Sequence, residues 1–191
     1  VGKDSPYKTA ADLVKDAKTK PPKTISVGSA GTADDMSIAV FESAAGIKLN
    51  VVRFNSGGEA LTALLGGHVN LASGNPLEFM GQMNAGQVRA IGVFRPTRFA
   101  DLPNVPTMKE QGIDVVPFQM WRGVALPKNV PPDAVAYWQG VMQKVAASKA
   151  FTDYIKQNSA TLHVVGGQDY YKFLETQEAL YKDMLKRLGV I

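Results

Sequence analysis

Thr24-Ile25-Ser26-Val27-Gly28-Ser29-Ala30-Gly31-Thr32 is the stretch on which the fold turns. Its first four residues are a short, largely β-branched run, the pattern of a buried strand. A glycine-bearing turn from Gly28 to Thr32 follows, then a helix from about Asp34 to Ala45 that Gly46 closes in the usual C-terminal manner. The same unit recurs downstream. Leu49 to Phe54 reads as a strand, Asn55-Ser56-Gly57-Gly58 as a turn, Glu59 to Leu65 as a helix and Gly66-Gly67 as its end. Val69 to Ala72 gives the next strand and Ser73-Gly74-Asn75 the next turn, with Pro76 at the first helical position, which favours proline. That helix runs to Ala85 and closes at Gly86, and Val88 to Phe94 reads as a further strand. Strands alternating with helices of about ten residues indicate an α/β domain, doubly wound, with a mostly parallel sheet.

Upstream, Thr9-Ala10-Ala11-Asp12 has the form of a capping box, and Pro21-Pro22 stop the helix it opens. After Arg95 the rhythm changes. An irregular, proline-bearing stretch runs to Pro106, a short helix follows at Thr107 to Gln111, and Val115 to Leu126 reads as a long extended segment able to run between two lobes. Helices are expected at Asp133 to Ser148, Phe151 to Asn158 and Gln168 to Leu188, with one strand at Leu162 to Val165. One strand is too few for a sheet, so this tail must complete a sheet supplied elsewhere or pack on the first domain.

The chain has 191 residues, 45% of them hydrophobic and 20% charged, an ordinary globular composition. No apolar run approaches the roughly 20 residues that cross a bilayer. The net charge of +4 raises the question of an acidic partner, but the basic residues are scattered. Their densest group, Lys15, Lys18, Lys20 and Lys23, surrounds a helix end, where cations suit the dipole; no nucleic-acid partner is expected. With no cysteine there is no disulfide, thiol catalysis or thiolate metal site. The opening residues Val1 to Pro6 are not a signal peptide, and the leader of an exported protein is expected to lie outside them.

In an open parallel sheet ligands bind at the carboxyl ends of strands, and a helix start there presents free amides that attract an anion. Three such turns, Gly28-Ser29-Ala30-Gly31-Thr32, Asn55 to Gly58 and Ser73-Gly74-Asn75, make a polar wall suited to carboxylate or phosphate. No phosphate-loop lysine follows the first, and the dinucleotide glycine spacing is not met. Asp34 and Asp35 open the helix after it. The plainer reading is that they cap its amides; the sharper one is that one of them meets a hydroxyl or amine of the ligand. Arg53 either links to a ligand carboxylate or points into solvent. His68 and His163 have no partner at metal or triad spacing, and no acid–base pair stands out, so neither catalytic residues, a metal nor a cofactor is expected. Trp121 either packs in the core or, placed between lobes, lines a cleft floor. The wall fails as an anion cage if its turns are splayed apart or filled by the protein's own acids.

The ordered segments resemble the solute-binding receptors of tripartite tricarboxylate transporters, the TctC or Bug family. The resemblance rests on Asp4-Ser5-Pro6-Tyr7, on Gly28-Ser29-Ala30-Gly31, on the run from Gly57 through Glu59, Gly66, Gly67 and His68 to Val69, and on Ala85-Gly86-Gln87-Val88-Arg89-Ala90. It continues with Arg98, Leu102-Pro103-Asn104-Val105-Pro106-Thr107, Glu110-Gln111-Gly112 and Trp121-Arg122-Gly123. It implies a type II periplasmic-binding-protein-like fold of two lobes that close on a carboxylate. Residues 5–118 would form the second lobe, and residues 119–191, with 1–4 as the entering crossover, the crossover strand and the C-terminal part of a first lobe that is incomplete in this chain. Ligand contacts would come from Gly28, Ser29, Ala30, Gly31, Thr32, Ser56, Gly57, Ser73, Gly74 and Asn75, to which the residue readings above add Asp34 and Trp121. It further implies a monomeric periplasmic receptor, without enzymatic activity, that delivers a mono-, di- or tricarboxylate, aromatic acids included, to two integral-membrane subunits. Asp34-Asp35-Met36 departs from the small, hydroxyl and histidine residues common there, which bears on the ligand more than on the fold. The rival readings are the effector-sensing domain of a transcriptional regulator and, more remotely, an enzyme acting on a phosphorylated or acyl substrate through the Gly28 to Thr32 turn, with a nearby acid such as Asp35.

Overall fold

Each strand-forming run is short, and each is stopped by a glycine or polar turn, so the sheet is narrow and its strands brief. The computed structural model describes residues 1–116, 120–157, 160–187 and 191. It divides into two compact units, Val1–Met120 and Trp121–Ile191.

The first unit opens with α1 (Ala10–Ala17), started by the expected capping box of Thr9 and Asp12. Then come β1 (Ser26–Ser29), α2 (Thr32–Ala45), β2 (Asn50–Arg53), α3 (Gly57–Leu65), β3 (Leu71–Ala72) and α4 (Pro76–Asn84). The sheet has the order β2-β1-β3, all parallel, with Ser29 level with Arg53 and Gly28 level with Ala72. β1 is therefore central. The chain winds outward from β1 to β2, then returns across β1 to β3, so right-handed crossovers put α2 and α3 on opposite faces. Leu61, Ala63, Leu64, Val69 and Val88 form one core cluster, with Val52, Phe54, Ala72, Phe79 and Met83 packed on it. Fully burying the valine and leucine side chains among these is worth about 1.5–3 kcal/mol each. Gly28 is closely packed: a Cβ there would lie 3.3 Å from the Phe54 ring, which would have to give by a few tenths of an ångström.

The strand expected at Val88 to Phe94 is reduced to two isolated bridges, Gly2 with Val88 and Val93 with Thr107. Its backbone groups are taken by other partners. The Ile91 carbonyl accepts from Ala10 N at 3.1 Å and from Gln111 Nε2 at 3.0 Å, and the Arg89 amide donates to Val1 O at 2.8 Å. Arg89 also fastens the N-terminal segment, with Nη2 donating to Ser5 O at 3.1 Å and Tyr7 O at 2.9 Å. The short helix expected at Thr107 to Gln111 is a single 3-10 turn, Lys109–Gln111.

The second unit holds α5 (Pro132–Ala147), α6 (Lys149–Gln157) and α7 (Gly167–Arg187). The expected ends at Asn158 and Leu188 lie outside the described residues, as do residues 117–119 of the long extended segment. Leu162 to Val165 forms no strand. A strand needs a neighbour for its ladder of amides and carbonyls, and the described part of this unit supplies none.

Candidate functional site

Because the three strands are parallel, their carboxyl ends share one edge, and the three turns leave from it. The winding direction reverses at β1, which is where open α/β sheets form their ligand crevice. The hydrogen-bond ladder runs up to the turns themselves: Phe54 N donates to Ser29 O and Ser73 N to Gly28 O, each at 2.9 Å.

All three helix starts follow one pattern, an acid three residues after the cap position: Gly31 and Asp34, Ser56 and Glu59, Asn75 and Glu78. Each acid reaches back to a single backbone amide. Asp34 Oδ2 accepts from Ala30 N at 2.9 Å, Glu59 Oε2 from Asn55 N at 3.1 Å and Glu78 Oε2 from Asn75 N at 3.0 Å. Ser56 caps α3 directly, its Oγ accepting from Glu59 N at 3.2 Å. The capping expected of Asp34 and Asp35 takes a different form. Gly31 is the N-cap of α2 and receives no side-chain bond, Asp34 reaches behind it to Ala30, and Asp35 turns away from the helix amides altogether.

Asp35 is held from two sides. Its Oδ1 accepts from the hydroxyl of fully buried Ser29 at 2.7 Å, and its Oδ2 from Arg53 Nε at 2.9 Å. Arg53 is thus paired within the protein through Nε, while most of its side chain stays exposed.

Glu78 draws the second and third turns together. A Cβ on Gly57 would lie 2.5 Å from Glu78 Oε1, and one on Gly74 would lie 2.8 Å from Oε2. Burial, helped by the negative charges of Glu78 and Asp35, holds the half-buried Asp34 carboxyl above the usual carboxylate range, against the Ala30 amide that pulls it down. The edge thus carries its own acids, yet they take only one amide per turn. Among the described residues the amides of Gly31, Thr32 and Ala33, of Gly57 and Gly58, and of Gly74 and Leu77 have no protein acceptor. These belong to the first turn of each helix or to the residue leading into it, where no intrahelical acceptor exists.

The predicted residues Gly28, Ser29, Ala30, Gly31, Thr32, Asp34, Ser56, Gly57, Ser73, Gly74 and Asn75 all fall on this edge. Gly28 and the Ser29 side chain face the interior, whereas Gly31 and Thr32 are exposed. Trp121 belongs to the second unit, packed edge-to-face on Phe173 at 5.5 Å and Tyr170 at 6.5 Å. Among the described residues no three His, Asp or Glu side chains gather at metal-binding spacing. Glu59 and Glu78 were missed as site residues, although the acid three positions after Ser56 and Asn75 was the available signal.

A sequence model of the tripartite tricarboxylate transporter family receptor matches residues 1–190. The chain belongs to this family. A UPF0065 protein of Agrobacterium vitis is 34% identical over 131 residues, covering 68% of this chain and 38% of that protein. One from Cupriavidus necator is 26% identical over 189 residues, covering 98% and 57%. Among solved structures, an R. palustris protein with adipate superposes with a TM-score of 0.88 at 23% identity, covering 99% of this chain and 64% of that one. MatC from Rhodopseudomonas palustris with bound malate gives 0.73 at 18% identity, covering 99% and 64%. These establish the fold of a TctC receptor, and the chain is partial relative to its homologues. Family members are periplasmic solute-binding proteins, the class to which the sequence assigned it.

Proposed function

We propose that this TctC receptor captures a small carboxylate on the edge formed by the three turns and delivers it, in the periplasm, to two integral-membrane subunits of a tripartite transporter. The observation that carries the reading is the set of unpartnered helix-start amides at three neighbouring strand ends. Backbone amides aimed at one place favour an anion without a formal positive charge. The relatives solved with adipate and malate support a carboxylate as the guest. Residues 5–118 act as the second lobe, and residues 119–191 with 1–4 as part of the first. No bond is made or broken: ligand selects one conformation of the receptor, which the membrane subunits recognise. Asp35, the acid a catalytic reading would draw on, has both oxygens engaged by Ser29 and Arg53.

A thermal-shift screen of mono-, di- and tricarboxylates on the full-length protein tests this. At ligand about 100 times the dissociation constant, binding adds about 2.7 kcal/mol to stability. A melting temperature that no carboxylate raises would end the receptor reading.

A further inference from the structure

Arg53 ends β2 level with Ser29 of β1, on the edge that carries the three turns. Its Nε donates to Asp35 Oδ2 at 2.9 Å, and Asp35 Oδ1 is taken at 2.7 Å by the hydroxyl of Ser29, which is fully buried. Asp35 is thereby fixed from the core side, and one edge of the guanidinium is fixed through it. The other edge, Nη1 and Nη2, makes no hydrogen bond among the described residues, and the side chain is 70% exposed. An ion pair this open adds little to stability, so folding gives weak reason for stringing a serine, an aspartate and an arginine in this order. What the string does achieve is to hold a two-pronged donor still. A guanidinium pinned at Nε offers its Nη–H pair in the fork geometry that matches a carboxylate, and much of the side-chain freedom that binding would otherwise remove is already lost.

We propose that Arg53 is the specificity-determining clamp for a second carboxylate of the ligand, with Asp35 and Ser29 as its positioning residues and the turn amides holding the first carboxylate. The proposal rests on the receptor reading above and narrows its ligand class to dicarboxylates. The edge is rich in the protein's own acids, Asp34 and Glu78 among them, and a doubly charged guest needs a cation to offset them.

Calorimetric titration of the full-length protein with adipate and with hexanoate, its single-carboxylate counterpart, provides the test. Wild type is expected to prefer adipate clearly. Arg53→Gln is expected to weaken adipate roughly 10- to 100-fold, the range for losing a charge-assisted hydrogen-bonded pair, and to bring the two acids close to equal. Arg53→Lys should recover only part of the preference, since the charge returns without the fork. Asp35→Asn should reduce the preference while the melting temperature stays near that of wild type. A wild type that binds both acids equally, or an Arg53→Gln variant that weakens both alike, overturns the clamp and leaves the receptor reading standing. A wild type that binds neither acid overturns the clamp as stated, and only the failure of every carboxylate in the thermal-shift screen overturns the receptor reading with it.

Discussion

Asp34 is a half-buried carboxylate with one amide donor, facing two further acids. Burial is the largest cause of its raised pKa, and the charges of Glu78 and Asp35 add to it. A carboxyl whose folded pKa lies above its unfolded one contributes stability that is fully present below the unfolded value and is lost as pH rises through the folded value. At neutral pH the charged Asp34 therefore works against folding. Asp34→Asn keeps an oxygen for the Ala30 amide and removes the charge, so it should raise the melting temperature at pH 7 and give no gain near pH 3. It should also tighten carboxylate binding at pH 7. Destabilisation at pH 7 that fades near pH 3 would show that the ionised carboxyl is the favoured form after all.

The elements that position the site begin alike, with a polar or glycine cap and an acid at the third helical position, and this device recurs at Thr9 with Asp12 and at Thr107 with Glu110. The start of α2 is the exception that requires glycine: Gly31 has φ 131° and ψ 175°, a region essentially closed to residues with a Cβ. Gly31→Ala should cost about 1–3 kcal/mol in urea denaturation, although a Cβ there would meet nothing within 4 Å. A variant as stable as wild type would mean the turn relaxes to an ordinary conformation. The same elements explain what the sequence could reveal. Strand–turn–helix units were legible because β-branched runs, glycine turns and caps are local signals. Val88 to Phe94 was not, because its apolar pattern matches a strand while its backbone groups are spent on Ala10, Gln111 and Val1, contacts no local pattern encodes. Glu78 was missed for a related reason. Its cap position was readable, whereas its approach to Gly57, which makes it a member of the site, depends on how α3 and α4 pack.

Across the whole molecule the apolar burial is uneven. Among the described residues, all the buried hydrophobic side chains lie in the unit Val1–Met120 except Ala146 and Met184. That unit contains the sheet, the core cluster around Leu61 and Leu64, and all three turns. The unit Trp121–Ile191 leaves Tyr137, Trp138, Met142, Tyr154 and Tyr171 exposed on its helices. Folding stability comes chiefly from apolar area removed from water, and a segment that buries little of it cannot offset the entropy of ordering its chain. A fragment of residues 1–120 should accordingly unfold cooperatively in urea, with a slope of about 1–3 kcal/mol per molar, whereas residues 121–191 alone should show weak helicity and no sigmoidal transition. The partition of stability is wrong if the shorter fragment unfolds cooperatively, or if residues 1–120 lose helicity gradually from the first addition of denaturant. Cooperative unfolding of residues 1–120 would also mean that the edge bearing the amides and Arg53 is held by its own core, so that substitutions there report on ligand binding and not on the folding of the rest.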